Sequence, residues 1–251
     1  MKVNQLSFSY GKKEILHDIS FEIKKGSVTT VLGANGSGKS TLFQLMTKNL
    51  KPEKGSVSLE GIDIGKMKIR EFARKAAIVH QHNRAEDDLT VRELVSYGRI
   101  PHRVPGHGKT DEDEKKISWA LEVTGLLELA DRPMGKLSGG QRQRAFLAMS
   151  LAQDTEYLFL DEPTTFLDIR YQEEILKLVR KLNQEYNITV IMVLHEMNQA
   201  IGYSDELIAL SNGKIVAKGT PEEVMTAENL KTIYDIDARI IEKDGRRYVL
   251  L

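Results

Sequence analysis

The sequence predicts an α/β fold whose mostly parallel sheet is built around a phosphate-binding loop, and three observations predict it. Gly33-Ala34-Asn35-Gly36-Ser37-Gly38-Lys39-Ser40-Thr41 fits the pattern G-x-x-x-x-G-K-[ST], and it lies between a β-branched run, Ser27–Leu32, and a helical pattern that opens at Thr41. Two near-continuous apolar runs, Tyr157–Leu160 and Ile188–Leu194, have the composition of parallel strands buried on both faces. Between them a helical stretch from Ile169 to Tyr186 supplies the right-handed crossover that a parallel pair requires.

Taken in order, residues 2 to 32 alternate apolar and polar side chains, as in Leu6-Ser7-Phe8-Ser9-Tyr10 and Ile19-Ser20-Phe21-Glu22-Ile23. They read as strands punctuated by Gly11 and Gly26, forming an N-terminal antiparallel β subdomain. The glycines of the loop then aim backbone N–H groups at phosphate oxygens, at the end of a strand and the start of a helix. Lys39 reaches the β- and γ-phosphates, Ser40 places its hydroxyl on a magnesium ion, and Thr41 bonds the α-phosphate. From residue 66 to 136 the pattern is helical: Thr90 caps a helix through Ser96, and Asp111 caps another that runs past Trp119 to Val123. The loop Pro101 to Lys109, with two prolines and two glycines, separates those helices and is expected to be mobile. A further helix runs from Arg142 to Gln153, and no repeat or low-complexity segment is visible.

Composition narrows the function classes. With 251 residues, 41% hydrophobic and 29% charged, the chain buries a sizeable core as one large domain or one domain with a lobe. Thirty-six basic residues balance thirty-six acidic ones, so no global field recruits nucleic acid or anionic lipid. There is no cysteine, which removes disulfides and thiolate metal sites and fits a reducing compartment. The N-terminus has no apolar signal region and no stretch approaches 18 consecutive apolar residues, so the expectation is a protein made and kept in the cytosol.

The second half of the chemistry sits after the apolar run Tyr157–Leu160, where Asp161 and Glu162 are adjacent. Alternation along a strand points the two carboxylates in different directions. One can face a magnesium shell, a role given to Asp161, and the other an attacking water, a role given to Glu162 as general base. Earlier in the chain, Leu137-Ser138-Gly139-Gly140-Gln141 opens a helix whose glycines leave its first N–H groups bare, a second anion site capped by Ser138.

With that pentapeptide the sequence resembles an ATP-binding cassette (ABC) ATPase, whose signature is LSGGQ, and the other family elements follow in order across nearly the full chain. The resemblance implies a single cassette over residues 1–251, a P-loop NTPase core with a helical subdomain, residues 85–150, inserted between the phosphate loop and the signature. It implies a head-to-tail homodimer, each ATP held between one subunit's loop and the other's signature, Leu137, Ser138, Gly139, Gly140 and Gln141. By the same resemblance Tyr10 stacks on adenine, Gln81 contacts magnesium and water, Asp168 faces the dimer interface and His195 senses the γ-phosphate. His80 and His82, which flank Gln81, have no third ligand in view and are not read as a metal site.

Architecture separates the jobs that cassettes do. Fewer than a hundred residues separate loop from signature, without sustained heptads, which rules out the coiled-coil members that act on chromosomes. A lone cassette without membrane helices is most like the motor of a bacterial or archaeal importer, docked on the cytoplasmic face beneath a multi-span permease served by a solute-binding protein. Thr90–Val95 with Gly98-Arg99-Ile100-Pro101-His102, Ala152–Thr155 and Asp161–Asp168 resemble importers of ferric siderophores, haem and cobalamin, the iron-siderophore members most of all. Thr165-Phe166-Leu167 departs from the Ser-Ala-Leu of many cassettes. The alternatives are a haem or cobalamin importer, and a soluble cassette acting as a nucleotide-dependent clamp. The stretch from Gly219 to Leu251 is too short for the regulatory domain of some sugar importers, so no built-in small-molecule control is expected.

Overall fold

The computed structural model describes residues 1–104, 106, 108–243 and 246–250. Pro105 and His107, within the loop read from Pro101 to Lys109, and the terminal Leu251 lie outside the described residues. Its strands are β1 (Lys2–Tyr10), β2 (Lys13–Glu22), β3 (Val28–Gly33), β4 (Lys54–Leu59), β5 (Ile62–Asp63), β6 (Ala76–Val79), β7 (Tyr157–Asp161), β8 (Thr189–Val193), β9 (Glu206–Ser211), β10 (Lys214–Gly219), β11 (Arg239–Lys243) and β12 (Arg246–Leu250). Its α-helices are α1 (Lys39–Met46), α2 (Ile69–Ala73), α3 (Val91–Ser96), α4 (Asp111–Val123), α5 (Gly139–Ala152), α6 (Ile169–Tyr186), α7 (Met197–Tyr203), α8 (Pro221–Val224) and α9 (Ala227–Tyr234). The chain divides into two units, residues 1–67 with 182–251, and residues 68–181. Among the described residues no helix is long and apolar enough to cross a membrane.

In the first unit β3 runs parallel to β8 on one side and to β9 on the other, with Val31 opposite Val193 and Ile208. Every residue of β3 and β8 is buried. With no solvent face to alternate against, both strands read as continuous apolar runs, as expected for parallel strands covered on both sides. Their buried hydroxyls are paired: Thr30 Oγ1 meets Ser204 Oγ at 2.6 Å, and Thr189 Oγ1 accepts the Gly26 N–H at 2.9 Å. Strand β10 returns antiparallel to β9 through the two-residue turn Asn212-Gly213. A separate antiparallel sheet, in the order β2-β1-β4-β5, carries the alternating N-terminal pattern, with Leu6 and Phe8 turned inward on β1 and Leu16, Ile19 and Phe21 on β2.

In the second unit β6 and β7 pair in parallel, Ala76 opposite Tyr157 and Val79 opposite Leu160. Four short apolar residues cannot be told from a buried helical turn by periodicity, so the stretch 66 to 136 is not uniformly helical as the sequence suggested. The helices α3, α4 and α5 pack through Val91, Leu94 and Val95, through Ile117, Ala120 and Leu121 at helical spacing, and through the Ala145–Ala148 face with Leu151. The Thr90 cap is found as read, its hydroxyl accepting from the Glu93 N–H. The α4 cap is corrected from Asp111 to Thr110, whose Oγ1 accepts from the Asp113 N–H at 3.1 Å. A Thr-x-x-Asp box satisfies two orphan N–H groups at once, which a single Asp at position 111 does not.

Asp113 does more than close that box. Its Oδ2 accepts from the Thr110 N–H at 3.0 Å and the Thr110 hydroxyl at 2.9 Å, and its Oδ1 accepts from Arg99 Nε at 2.8 Å. Arg99 Nη1 donates in turn to the carbonyl of Ala152, the last residue of α5, at 2.8 Å. One buried guanidinium therefore joins the start of α4 to the end of α5, supplying a cation where α5 leaves carbonyls unpaired. Burial pushes the Asp113 carboxyl up, but the hydrogen bonds from Arg99 and Thr110 outweigh it and hold the group at about 2.

Arg99→Met leaves a buried carboxylate without its cation and should cost about 3–5 kcal/mol in denaturant melts of the full chain. Since the folded value of Asp113 lies below its ordinary 3.8, its stabilisation is complete above that value and is lost as the pH falls towards about 2. Asp113→Asn should flatten this acid limb in a pH series of the same melts.

Candidate functional site

The phosphate loop begins where β3 ends. Gly38 opens α1 at φ 104, in the left-handed region, with no side-chain cap. A Cβ there would meet the Leu16 side chain at 2.7 Å and the Ile15 carbonyl at 3.4 Å, so the position demands glycine for both conformation and space. The start of α1 thus opens directly from the loop without a side-chain acceptor on its cap, and its N-terminal dipole end favours an anion. Lys39 is buried, and its ammonium donates to the carbonyls of Gly33 at 2.8 Å and Ala34 at 3.0 Å, which hold it over the loop. Asn35, Gly36 and Ser40 are exposed, while Gly33, Ser37 and Thr41 are buried. The Ser37 carbonyl accepts from the Gly213 N–H at 3.0 Å, and the Gly213 carbonyl accepts from the His17 N–H at 2.9 Å. The β9–β10 turn therefore braces the loop against β2, a contact without a sequence motif to announce it.

Tyr10 stands at the end of β1, half exposed, with its ring edge-on to Phe8 at 5.0 Å between centroids. Two residues apart on one strand face, Phe8 fixes an aromatic surface suited to a planar base. His195 follows Leu194, one residue beyond the buried Val193 that ends β8, and is exposed. Tyr10, the loop and His195 belong to the first unit.

The second unit holds the carboxylates. Asp161 is the last residue of β7, and Glu162 has φ 50, in the left-handed region. Glu162 thus lies one residue past the strand with a left-handed backbone, so strand alternation does not by itself set its direction. Glu162 Oε2 accepts from Gln81 Nε2 at 2.5 Å and from the Thr165 hydroxyl at 3.1 Å. The structure thus brings together Gln81 and Glu162, eighty-one positions apart, and adds Thr165, to which the sequence reading gave no role in the site. A carboxylate held by an amide and a hydroxyl is fixed in orientation, as a general base towards water must be. Beside this network His82 stacks on Phe166 at 5.7 Å, and Phe166 is 81% exposed at φ 65. Asp168 is exposed, and its carbonyl accepts from the Gln172 N–H at 3.0 Å in the first turn of α6.

Ser138 caps α5 as the sequence indicates. Its Oγ accepts from the Gln141 N–H at 3.3 Å and the Gln141 Oε1 accepts from the Ser138 N–H at 3.0 Å, while Leu137 is buried behind it. Gly139 follows without crowding, but a Cβ on Gly140 would come within 2.5 Å of the Tyr171 ring, so α5 and α6 approach as closely as glycine allows. An open groove of about 580 Å³ runs beside this helix start, lined by Ser138, Gln141, Arg144, Arg170, Tyr171 and Lys177 among others. Of the residues named for magnesium, Ser40 lies in the first unit and Gln81 and Asp161 in the second; hydroxyl, amide and carboxylate oxygens are each of the hard kind that ion takes.

Comparison with known proteins fits this geometry. The ABC transporter family profile matches residues 16–165. The iron(3+)-hydroxamate import ATP-binding protein FhuC of Bacillus subtilis (strain 168) is 47% identical over 242 residues, covering 96% of this chain and 90% of that protein. Among solved structures, a metal-chelate type ABC transporter in an inward-facing conformation superposes with a TM-score of 0.85 at 27% identity, over 99% of this chain and 94% of the other. The dimeric post-hydrolysis cassette MJ0796, bound to ADP and Pi, gives 0.74 at 28% identity over 88% and 98%.

Gly38→Ala should weaken ATP binding at least about tenfold, because the loop cannot keep its left-handed opening. Titration with a fluorescent ATP analogue checks this, with the circular dichroism melt as control for the fold.

Proposed function

The chain belongs to the ABC transporter family, and on that premise we propose that it is the ATP-hydrolysing motor subunit of an importer for ferric siderophores or related iron chelates. The observation that carries the reading is that one chain bears two separate anion-ready helix starts, α1 behind Gly38 and Lys39 and α5 behind Ser138. The cargo follows the relatives, one of which is named for iron(3+)-hydroxamate import and another for a metal chelate. Residues 1–251 are read as one cassette with a helical part over 85–150. It works as a head-to-tail homodimer on the cytoplasmic face of a bacterial or archaeal membrane, beneath a multi-span permease fed by a solute-binding protein.

In this reading Tyr10 stacks on adenine, and Gly33, Asn35, Gly36, Ser37 and Gly38 present the loop whose N–H groups, with Lys39 and Thr41, take the phosphates. Ser40, Gln81 and Asp161 would hold magnesium, which when bound would neutralise phosphate charge. Glu162 accepts the proton of the attacking water, oriented by Gln81 and Thr165. His195 contacts the γ-phosphate. Leu137, Ser138, Gly139, Gly140 and Gln141 close over the ATP of a second copy, with Asp168 at that interface. Closure follows because ATP binds the closed dimer more tightly than the open one, and hydrolysis removes the difference.

Glu162→Gln should abolish turnover while ATP binding persists and the dimer stays closed; preserved hydrolysis would remove Glu162 from the base role. Ser138→Leu should leave nucleotide binding by the monomer intact while hydrolysis collapses, since the cap costs only about 1 kcal/mol of helix stability. Cells carrying Glu162→Gln as sole copy should lose uptake of labelled ferric siderophore and keep uptake of haem and cobalamin. Loss of haem or cobalamin uptake instead would reassign the cargo, and undiminished uptake of all three would reject the transport role.

A further inference from the structure

The last two strands contain no residue used by the function above, yet β12 is fastened to the helix that follows His195. Asn198, in the first turn of α7, donates from Nδ2 to the Val249 carbonyl at 3.1 Å and accepts at Oδ1 from the Val249 N–H at 2.8 Å. One carboxamide thereby satisfies both backbone groups of a strand residue, as a neighbouring strand would. The hairpin that it grips is itself fixed. Strands β11 and β12 pair in unbroken register from Arg239 opposite Leu250 to Lys243 opposite Arg246. Arg247 Nη1 donates to the Glu222 carbonyl of α8 at 2.7 Å, and the Val249 side chain is buried.

Helix α7 needs an external hold. It has seven residues, its N-cap Glu196 makes no side-chain cap hydrogen bond, and Ala200 is its buried residue. A helix so short is not stable on its own propensity. On the other side of His195, Leu194 is buried at the end of β8 and its N–H donates to the Val31 carbonyl at 3.4 Å. His195 and Glu196 therefore form a two-residue link between a fixed strand end and a helix start whose position the Asn198 clamp helps to set.

We infer that Asn198 is a positioning residue for ATP hydrolysis, and that the C-terminal β11–β12 hairpin is the support through which it holds His195 in place. The inference rests on the reading of His195 as the γ-phosphate contact. It makes the hairpin part of the hydrolytic apparatus, though it lies more than forty positions from the histidine in sequence.

The test is steady-state hydrolysis by the purified full-length chain with ATP as substrate, comparing Asn198→Ala, Asn198→Asp, His195→Ala and the Asn198→Ala/His195→Ala pair. Asn198→Ala should lower kcat about ten- to a hundredfold, with KM for ATP within about twofold, since a misplaced group loses catalysis before it loses binding. Asn198→Asp keeps the acceptor for the Val249 N–H and loses the donor, and should fall between. In the His195→Ala background the Asn198 change should add nothing. Hydrogen exchange of the amides of 195–203 and of Val249 should quicken in Asn198→Ala. Wild-type kcat in a variant whose Val249 amide has quickened would overturn the inference, as would an equal loss in both backgrounds, which marks general weakening. Wild-type hydrolysis by His195→Ala would instead reject the histidine reading on which the inference stands.

Discussion

The complete burial of β3 between β8 and β9 is the constraint on which the nucleotide end of the first unit depends. A strand without a solvent face must pair its backbone groups on both sides, so it cannot slide, and its last residue, Gly33, becomes a fixed point. The three strands are parallel, and their carboxyl ends share one edge of the sheet. There β3 delivers the phosphate loop, β8 delivers His195, and β9 delivers the Gly213 turn that bonds Ser37. Ligand sites of open α/β sheets lie at such an edge because loops leaving parallel strands converge there.

The two anion-ready helix starts are built by opposite devices. At α1 the cap is a glycine in the left-handed region that offers no side-chain acceptor, and the loop backbone itself supplies the cradle. At α5 a Ser-x-x-Gln box exchanges two hydrogen bonds, which keeps the helix start ordered in the absence of a ligand. The first arrangement leaves recognition of phosphate to the loop backbone. The second suits a surface that must be well formed before its partner arrives.

Much of this was legible in the sequence because the informative features are local. The phosphate loop, the Thr90 and Ser138 caps, the apolar runs of β7 and β8 and the bounds of α6 each follow from residues within a few positions of one another. What escaped was set by distant contacts. Strand β6 is defined by β7, some eighty residues away, and its four residues carry no period of their own. The Glu162 direction comes from a left-handed backbone at a non-glycine residue, which composition does not signal. From the sequence the α4 cap reads as Asp111 in place of its neighbour Thr110 because both are good capping residues, and only the three-residue spacing to Asp113 decides between them. The grips of Gly213 on Ser37 and of Asn198 on Val249 join segments that have no shared pattern.

The buried guanidinium of Arg99 also determines how the signature can move. It ties the far end of α5 to the first turn of α4 through two buried hydrogen bonds. Ser138 stands at one end of α5 and the Arg99 tie at the other, so the two ends are joined by fourteen residues of continuous helix. A mechanism that converts closure around a phosphate into work elsewhere needs such a part, because compliance along the helix would dissipate the stroke as local strain.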